Sequence, residues 1–282
     1  MQGSILAIAS IISRIVGLIY RIPLTAIIGK TGNDYYGTAY SIYNIILIMS
    51  SFSLPLAVSK LVASRMGNGR AKDAFRVFKG ALGFAIVSGG LGALLLYFGA
   101  DYFTGTLLKT PLSAIALKVL APTVFVVALL GVFRGFFQGL NTMMPSAFSQ
   151  VAEQILNAIV SVVAAYMLYS YGKRVGAVLG DADAYAAAYG AAGGTLGTAA
   201  GAFLAFLFVL FVYLVYRKRF KKRMRRDHHR EQESYGHVLK TQHDTAAIIK
   251  TIEGKKAFAF TGKERFHGFD CQAHLSTYQQ CD

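Results

Sequence analysis

Two arginines, Arg14 and Arg21, stand inside the first apolar run of this chain. Ser10, Arg14, Gly17, Arg21 and Thr25 recur at intervals of three and four, so a helix presents them on one face while Ile, Leu and Val fill the others. An ionised side chain within a membrane span costs roughly 2.5–3.5 kcal/mol on insertion scales, and such residues usually face a cavity or a partner. A planar guanidinium can donate two parallel hydrogen bonds to phosphate oxygens. The stripe therefore reads as a cationic wall suited to a phosphorylated ligand. The structural alternative has Arg14 snorkelling to the interface and Arg21 paired with an acidic neighbour. Two arginines on one face, near the middle of the run, favour the cavity.

A second stripe lies further along. Ser146, Gln150, Glu153 and Asn157 share one helical face, and Glu153 carries the stripe's formal charge. An ion pair between Glu153 and an arginine of another helix, and a substrate or proton role, account equally well for a carboxylate in that setting. Glycines at spacing four (Gly131, Gly135 and Gly139; Gly193, Gly197 and Gly201) suit close helix approach, because they sit in apolar runs without the lysine of a phosphate loop. No Ser–His–Asp set, HExxH or apolar carboxylate pair is present, so neither an enzyme nor a cofactor is expected. Cys271 and Cys281, with His267 and His274 nearby, match no standard zinc spacing and read as idle thiols.

These stripes need helices to carry them. The 282 residues are 54% hydrophobic and only 15% charged, with a mean hydropathy of +0.45, against about 25% charged residues in a soluble domain. Six apolar runs, at residues 3–28, 35–62, 79–98, 112–137, 145–171 and 189–216, are each long enough to cross about 30 Å of hydrocarbon. Their continuity predicts helices rather than barrel strands. The expected fold is all-α and integral to the membrane: a bundle of about six helices over residues 1–216, then a basic segment.

Charge supplies the orientation. The connection 65–79 and the stretch after residue 216 hold the Lys/Arg clusters, while the opposite connections carry Asp34, Asp101, Asp181 and Asp183. The positive-inside rule then places both termini in the cytoplasm, as an even number of spans requires. Cleavage of the first run is not expected, since it lacks a basic start and exceeds the length of a signal h-region. The net charge of +15 lies largely beside a span, where it anchors topology and meets anionic lipid head groups; without interleaved aromatics it does not indicate nucleic acid.

Three segments carry a family resemblance. SRIVGLIYRIPLTAIIGKTGNDYYGTAYSIYN (13–44) resembles the opening of the lipid-linked oligosaccharide flippases, which include the lipid II flippases (MurJ/MviN) and stage V sporulation protein B. SFSLPLAVSKLVASRMGNGRAKDAFRVFK (51–79) resembles the end of that family's second helix and its following loop. FRGFFQGLNTMMPSAFSQVAEQILN (133–157) resembles the link between its fourth and fifth helices, and the sporulation-type branch is the most similar. The resemblance implies one lobe of a two-lobe bundle of the multidrug/oligosaccharidyl-lipid/polysaccharide (MOP) exporter superfamily. It further implies alternating-access movement of a lipid-linked polysaccharide or peptidoglycan precursor, with a sugar pyrophosphate and membrane lipids as partners. Arg14 corresponds to the family's first-helix arginine. Arg21 is offset by one from the second, at whose position this chain has Tyr20. Asp34 corresponds to an acidic residue at the outer end of the first hairpin, and Lys60, Arg134, Gln138 and Glu153 to polar positions of the sporulation-type branch. Arg14, Arg21 and Lys60 would then receive the pyrophosphate.

The resemblance extends to about residue 241, with 217–241 as a basic cytoplasmic linker. Residues 242–282 contain no run long enough to span and no sustained period, so an unstructured tail is expected where a seventh helix would stand. A frameshift, truncation or mis-assembled frame would account for it; the alternative is a half-transporter that dimerises or meets a second lobe. Two other functions fit the same composition. One is a cation-coupled multidrug exporter, against which the arginine stripe argues; the other is a non-transporting scaffold for cell-wall or spore-coat assembly.

Overall fold

The computed structural model describes residues 2–50 and 54–225, and those residues form an all-helical bundle. The helices are α1 (Gln2–Ile19), α2 (Arg21–Ser50), α3 (Leu54–Gly67), α4 (Ala71–Asp101), α5 (Ser113–Gly139), α6 (Met144–Leu179) and α7 (Ala182–Arg225). A single π-helical turn, Tyr102–Leu107, extends α4. Five of the helical segments are long and apolar enough to cross a membrane, and the shorter apolar helix Ser4–Ile19 precedes them.

The first apolar run is a kinked helix. Pro23 has no N–H to donate to the Ile19 carbonyl, so the ladder loses one bond there. Bonding resumes on either side: Tyr20 N–H donates to Val16 at 3.2 Å and Leu24 N–H to Tyr20 at 3.2 Å. The true break comes at Gly29, with φ 67° and ψ −174°, a backbone state open to glycine. It falls between the expected spans 3–28 and 35–62, so the boundary read from hydropathy is the boundary the backbone makes.

The other helices overrun the hydrophobic runs that predicted them. The connection 65–79 is mostly helical; its non-helical part is confined to residues 68–70, between α3 and α4. Basic residues are good helix formers, so a helix leaving the hydrocarbon continues until something stops it. For α6 that stop is Gly180, in the left-handed conformation at φ 91°. α7 carries on through Arg225, well into the basic segment. The rest of the expected linker and the tail 242–282 lie outside the described residues.

Glycine lets the helices meet. The most extensive contact is that of α6 with α7. Along it, a Cβ at Gly193 would come within 2.5 Å of the Ala164 carbonyl oxygen, and one at Gly201 within 2.6 Å of that of Glu153. Gly197 faces the Ser161 hydroxyl in the same seam. On α5, Gly135 and Gly139 accept α3 in the same way, at Pro55 and Ser59. In a bilayer, where apolar burial between helices adds little, such close approach is a main source of cohesion.

Two apolar clusters fill the bundle. One joins α3, α4, α5 and α7 around Phe78, Phe133, Phe136 and Phe137. The other joins α2 and α5 with the end of α4, the middle of α6 and the start of α7 around Leu24, Tyr43, Leu117 and Leu120.

Candidate functional site

A cavity of about 450 Å3 opens where α1, α2, α5, α6 and α7 converge. Four helices supply its main polar groups. α1 contributes Ser10, Ser13 and Arg14, and α2, beyond the Gly29 break, contributes Tyr40, Tyr43 and Asn44. α5 contributes Arg134, and α6 contributes Gln150, Glu153, Gln154 and Asn157.

The side chains of α5 and α6 are locked to one another. Arg134 Nη2 donates to Glu153 Oε2 at 2.8 Å, and Arg134 Nε donates to the Ser149 hydroxyl at 2.8 Å. The Ser146 hydroxyl reaches the Arg134 carbonyl at 3.3 Å. With 14% and 18% of their side chains exposed, Arg134 and Glu153 are largely withdrawn from their surroundings and close to charge-neutral as a pair. The stripe on α6 thus has an ion-pair partner on another helix, as one of its two sequence readings requires. The same pair also lines the cavity.

Deeper in, Asn157 organises a second network. Its Nδ2 lies 3.5 Å from the Tyr20 hydroxyl, and its Oδ1 accepts from Ser161 at 2.9 Å. Ser161 also reaches the Gly194 carbonyl at 2.8 Å, so Tyr20, between α1 and α2, is linked with α6 and α7 at one level. Two buried polar atoms on the cavity wall have no hydrogen-bond partner, Ser13 Oγ and Gln150 Oε1. An unmet donor or acceptor costs about 1–3 kcal/mol, and a ligand or water entering the cavity would remove that cost.

The structure brings together Arg14, Arg134 and Glu153 of the residues singled out from the sequence. The upper half of the α1 stripe, Ser10, Arg14 and Gly17, lines the cavity, but Arg21 does not. Past the kink Arg21 is exposed, with its guanidinium 6.0 Å from the centre of the Tyr36 ring. Asp34 and Lys60 are exposed on α2 and α3, and Gln138 is half-buried one turn beyond Arg134; none of the three lines the cavity. Tyr20, Tyr40, Tyr43, Asn44 and Thr198 line it without having been anticipated. Asn44, a lone amide among Ile and Leu, and Tyr20, at the position of the family's second arginine, were the visible signals; Tyr40 and Tyr43 had none, because an aromatic in a span usually packs.

Several apolar helices packed around a polar, arginine-bearing cavity make a multi-pass membrane bundle. The chain belongs to the polysaccharide biosynthesis protein family, whose model matches residues 2–262. That match runs past residue 241, where the sequence reading begins the tail. Three proteins of Bacillus subtilis (strain 168) are similar to it. Lipid II flippase MurJ is 28% identical over 172 residues, covering 58% of this chain and 32% of its own length. Stage V sporulation protein B is 30% identical over 173 residues, covering 61% and 33%. The uncharacterized membrane protein YabM is 30% identical over 196 residues, covering 69% and 34%. The matched part therefore spans about a third of these relatives.

Solved structures share the fold. A MOP superfamily transporter from Pyrococcus furiosus superposes with a TM-score of 0.63 at 17% identity, over 86% of this chain and half of that one. An outward-facing multidrug resistance MATE family transporter of the same superfamily gives 0.59 at 18% identity, over 77% and 45%. The all-helical membrane bundle expected from the sequence is thus supported by the family match and by the shared fold.

Proposed function

We propose that this chain is the N-terminal lobe of an exporter that moves a lipid-linked polysaccharide or peptidoglycan precursor across the bacterial cytoplasmic membrane, with both termini in the cytoplasm. One observation carries the reading. Among the described residues Arg14 makes no hydrogen bond or ion pair, yet it stands on the wall of a 450 Å3 cavity whose other cation, Arg134, is already matched by Glu153. The cavity therefore has one unbalanced positive charge, set among amides and hydroxyls that suit sugar hydroxyl groups. The pyrophosphate head would bind at Arg14 while the polyprenyl chain stayed in the bilayer. Of the residues first assigned to the pyrophosphate, Arg21 and Lys60 would act only as outer guides. The cavity's open side would be covered by a second lobe or a second copy.

The test is binding of polyprenyl pyrophosphate to the 282-residue chain in nanodiscs. Saturable binding that Arg14→Ala weakens by a factor of about 10–100 is expected, the range of one charge-assisted hydrogen-bonding group. Equal binding by the variant would defeat the assignment. A second reading, a cation-coupled drug exporter, draws on the MATE neighbour and on Glu153 in the cavity. It predicts that a lipophilic cation binds and that Glu153→Gln abolishes that binding, whereas Arg14→Ala strengthens it.

A further inference from the structure

The basic end of the bundle holds a second, smaller pocket of about 50 Å3, between the first turns of α4 and the last turns of α7. Its floor is aromatic. Phe75 and Phe220 lie 5.9 Å apart between ring centres, and Phe220, 3% exposed, packs on Phe136 at 5.4 Å. Tyr213 and Met224 complete the apolar lining.

Its rim is cationic. Arg217 and Lys221 sit four residues apart on α7, hence on one face, and both are exposed. Like charges at that spacing repel by a few tenths of a kcal/mol, and among the described residues neither has an ion-pair or hydrogen-bond partner. Lys79 adds a third cation, its ammonium 4.9 Å from the centre of the Phe75 ring. Asp73, the acidic residue in the first turn of α4, offers no relief, since it is 2% exposed and holds Arg70 at 2.9 Å.

The position completes the case. Along α7 the apolar run ends at Tyr216 and the charges begin at Arg217, so the pocket lies where hydrocarbon gives way to head groups. Water's share of liquid volume is about 30 Å3, so the space suits a phosphate group and not a sugar diphosphate. An apolar floor beside a cationic rim selects an amphiphile over a free anion.

We infer that this groove binds an anionic phospholipid of the surrounding bilayer, with the phosphate on Arg217 and Lys221 and the adjoining methylenes against Phe75, Phe220 and Met224. Lys79 reinforces the field from the α4 side. The bound lipid would tie the ends of α4 and α7 together at the membrane surface. The inference rests on membrane integration alone and stands or falls independently of what the large cavity carries.

The experiment is native mass spectrometry of the delipidated 282-residue protein, titrated separately with phosphatidylglycerol, phosphatidylcholine, polyprenyl pyrophosphate and inorganic phosphate. Phosphatidylglycerol should bind in preference to phosphatidylcholine, and the double variant R217Q/K221Q should lose that preference by a factor of about 10–30, given roughly 1 kcal/mol per basic residue near a lipid surface. Lys30→Gln, an exposed cation on a different helix, should leave it unchanged. A diazirine-bearing phosphatidylglycerol should crosslink the unmodified protein within the peptides containing Phe75 and Phe220, which keeps the test informative if the variant folds poorly. Crosslinks spread around the bundle would overturn the proposal. So would a phosphatidylglycerol preference retained by R217Q/K221Q, or binding at the groove of polyprenyl pyrophosphate or inorganic phosphate but not of phosphatidylglycerol.

Discussion

The two walls of the large cavity are built on opposite terms. The wall of α5, α6 and α7 is cross-linked: Arg134 holds Glu153 and Ser149, Asn157 accepts from Ser161, and glycines bring α6 against α7 at backbone distance, while Gln150 Oε1 is left unmet. The wall of α1 carries Arg14, which is exposed and has no partner among the described residues, and the helix that continues α1 is kinked near Pro23 and broken at Gly29 before α2 joins the cavity at Tyr40. One wall satisfies most of its polar groups internally. The other keeps an unbalanced charge and a non-helical hinge. Under the proposed function, the anionic ligand would bind on the wall that leaves its charge unmatched, at Arg14.

The cross-linked wall should break most severely. Gly197→Leu would drive a side chain into Ser161 and the Asn157 backbone, and should cost about 3 kcal/mol or more. Failure of the variant to accumulate in membranes, or early unfolding in bicelles, is the expected result; wild-type stability would show that the α6–α7 seam is loose.

Glu153→Ala comes next. It strands the Arg134 guanidinium in a site where 14% of its side chain is exposed, and should cost about 2–3 kcal/mol, somewhat below the figure for a fully buried pair. The double variant R134M/E153L should recover most of that loss, because no unpaired charge remains. If each single variant melted like the wild type, the pair would not be holding the wall.

Gly29→Ala tests the hinge. Added at Gly29, a Cβ meets nothing within 4 Å, so any cost comes from the backbone, and φ 67° with ψ −174° predicts about 1–3 kcal/mol. A neutral result would mean that the break between the first two spans can be made without glycine.

The smallest effect on stability belongs to Arg14→Ala. With no partner lost, the melting temperature should stay within the range of about 0.5 kcal/mol, even as pyrophosphate binding falls. A large destabilisation would make Arg14 a structural residue and erase the contrast between the walls.

Much of this molecule followed from its sequence alone. Hydropathy determined that it is a helical membrane protein and roughly where its spans lie, because the bilayer leaves a backbone no other way to satisfy its polar groups, while the helices themselves run past those bounds. Helical spacing determined that Ser10, Arg14 and Gly17 share a face, and that Gln150, Glu153 and Asn157 share another, since side-chain periodicity is a local property. Family motifs pointed to the family. Tertiary structure alone decided that the two faces meet across one cavity, that Arg134 is Glu153's partner, and that Tyr20, Tyr40 and Tyr43 enter the wall. It also separated Arg21 from Arg14: two residues in register on a straight helix diverge once the missing N–H of Pro23 bends it, and Arg21 turns to the face of Tyr36. Periodicity describes a helix by itself, whereas a binding site depends on which helices lie opposite and how each is bent.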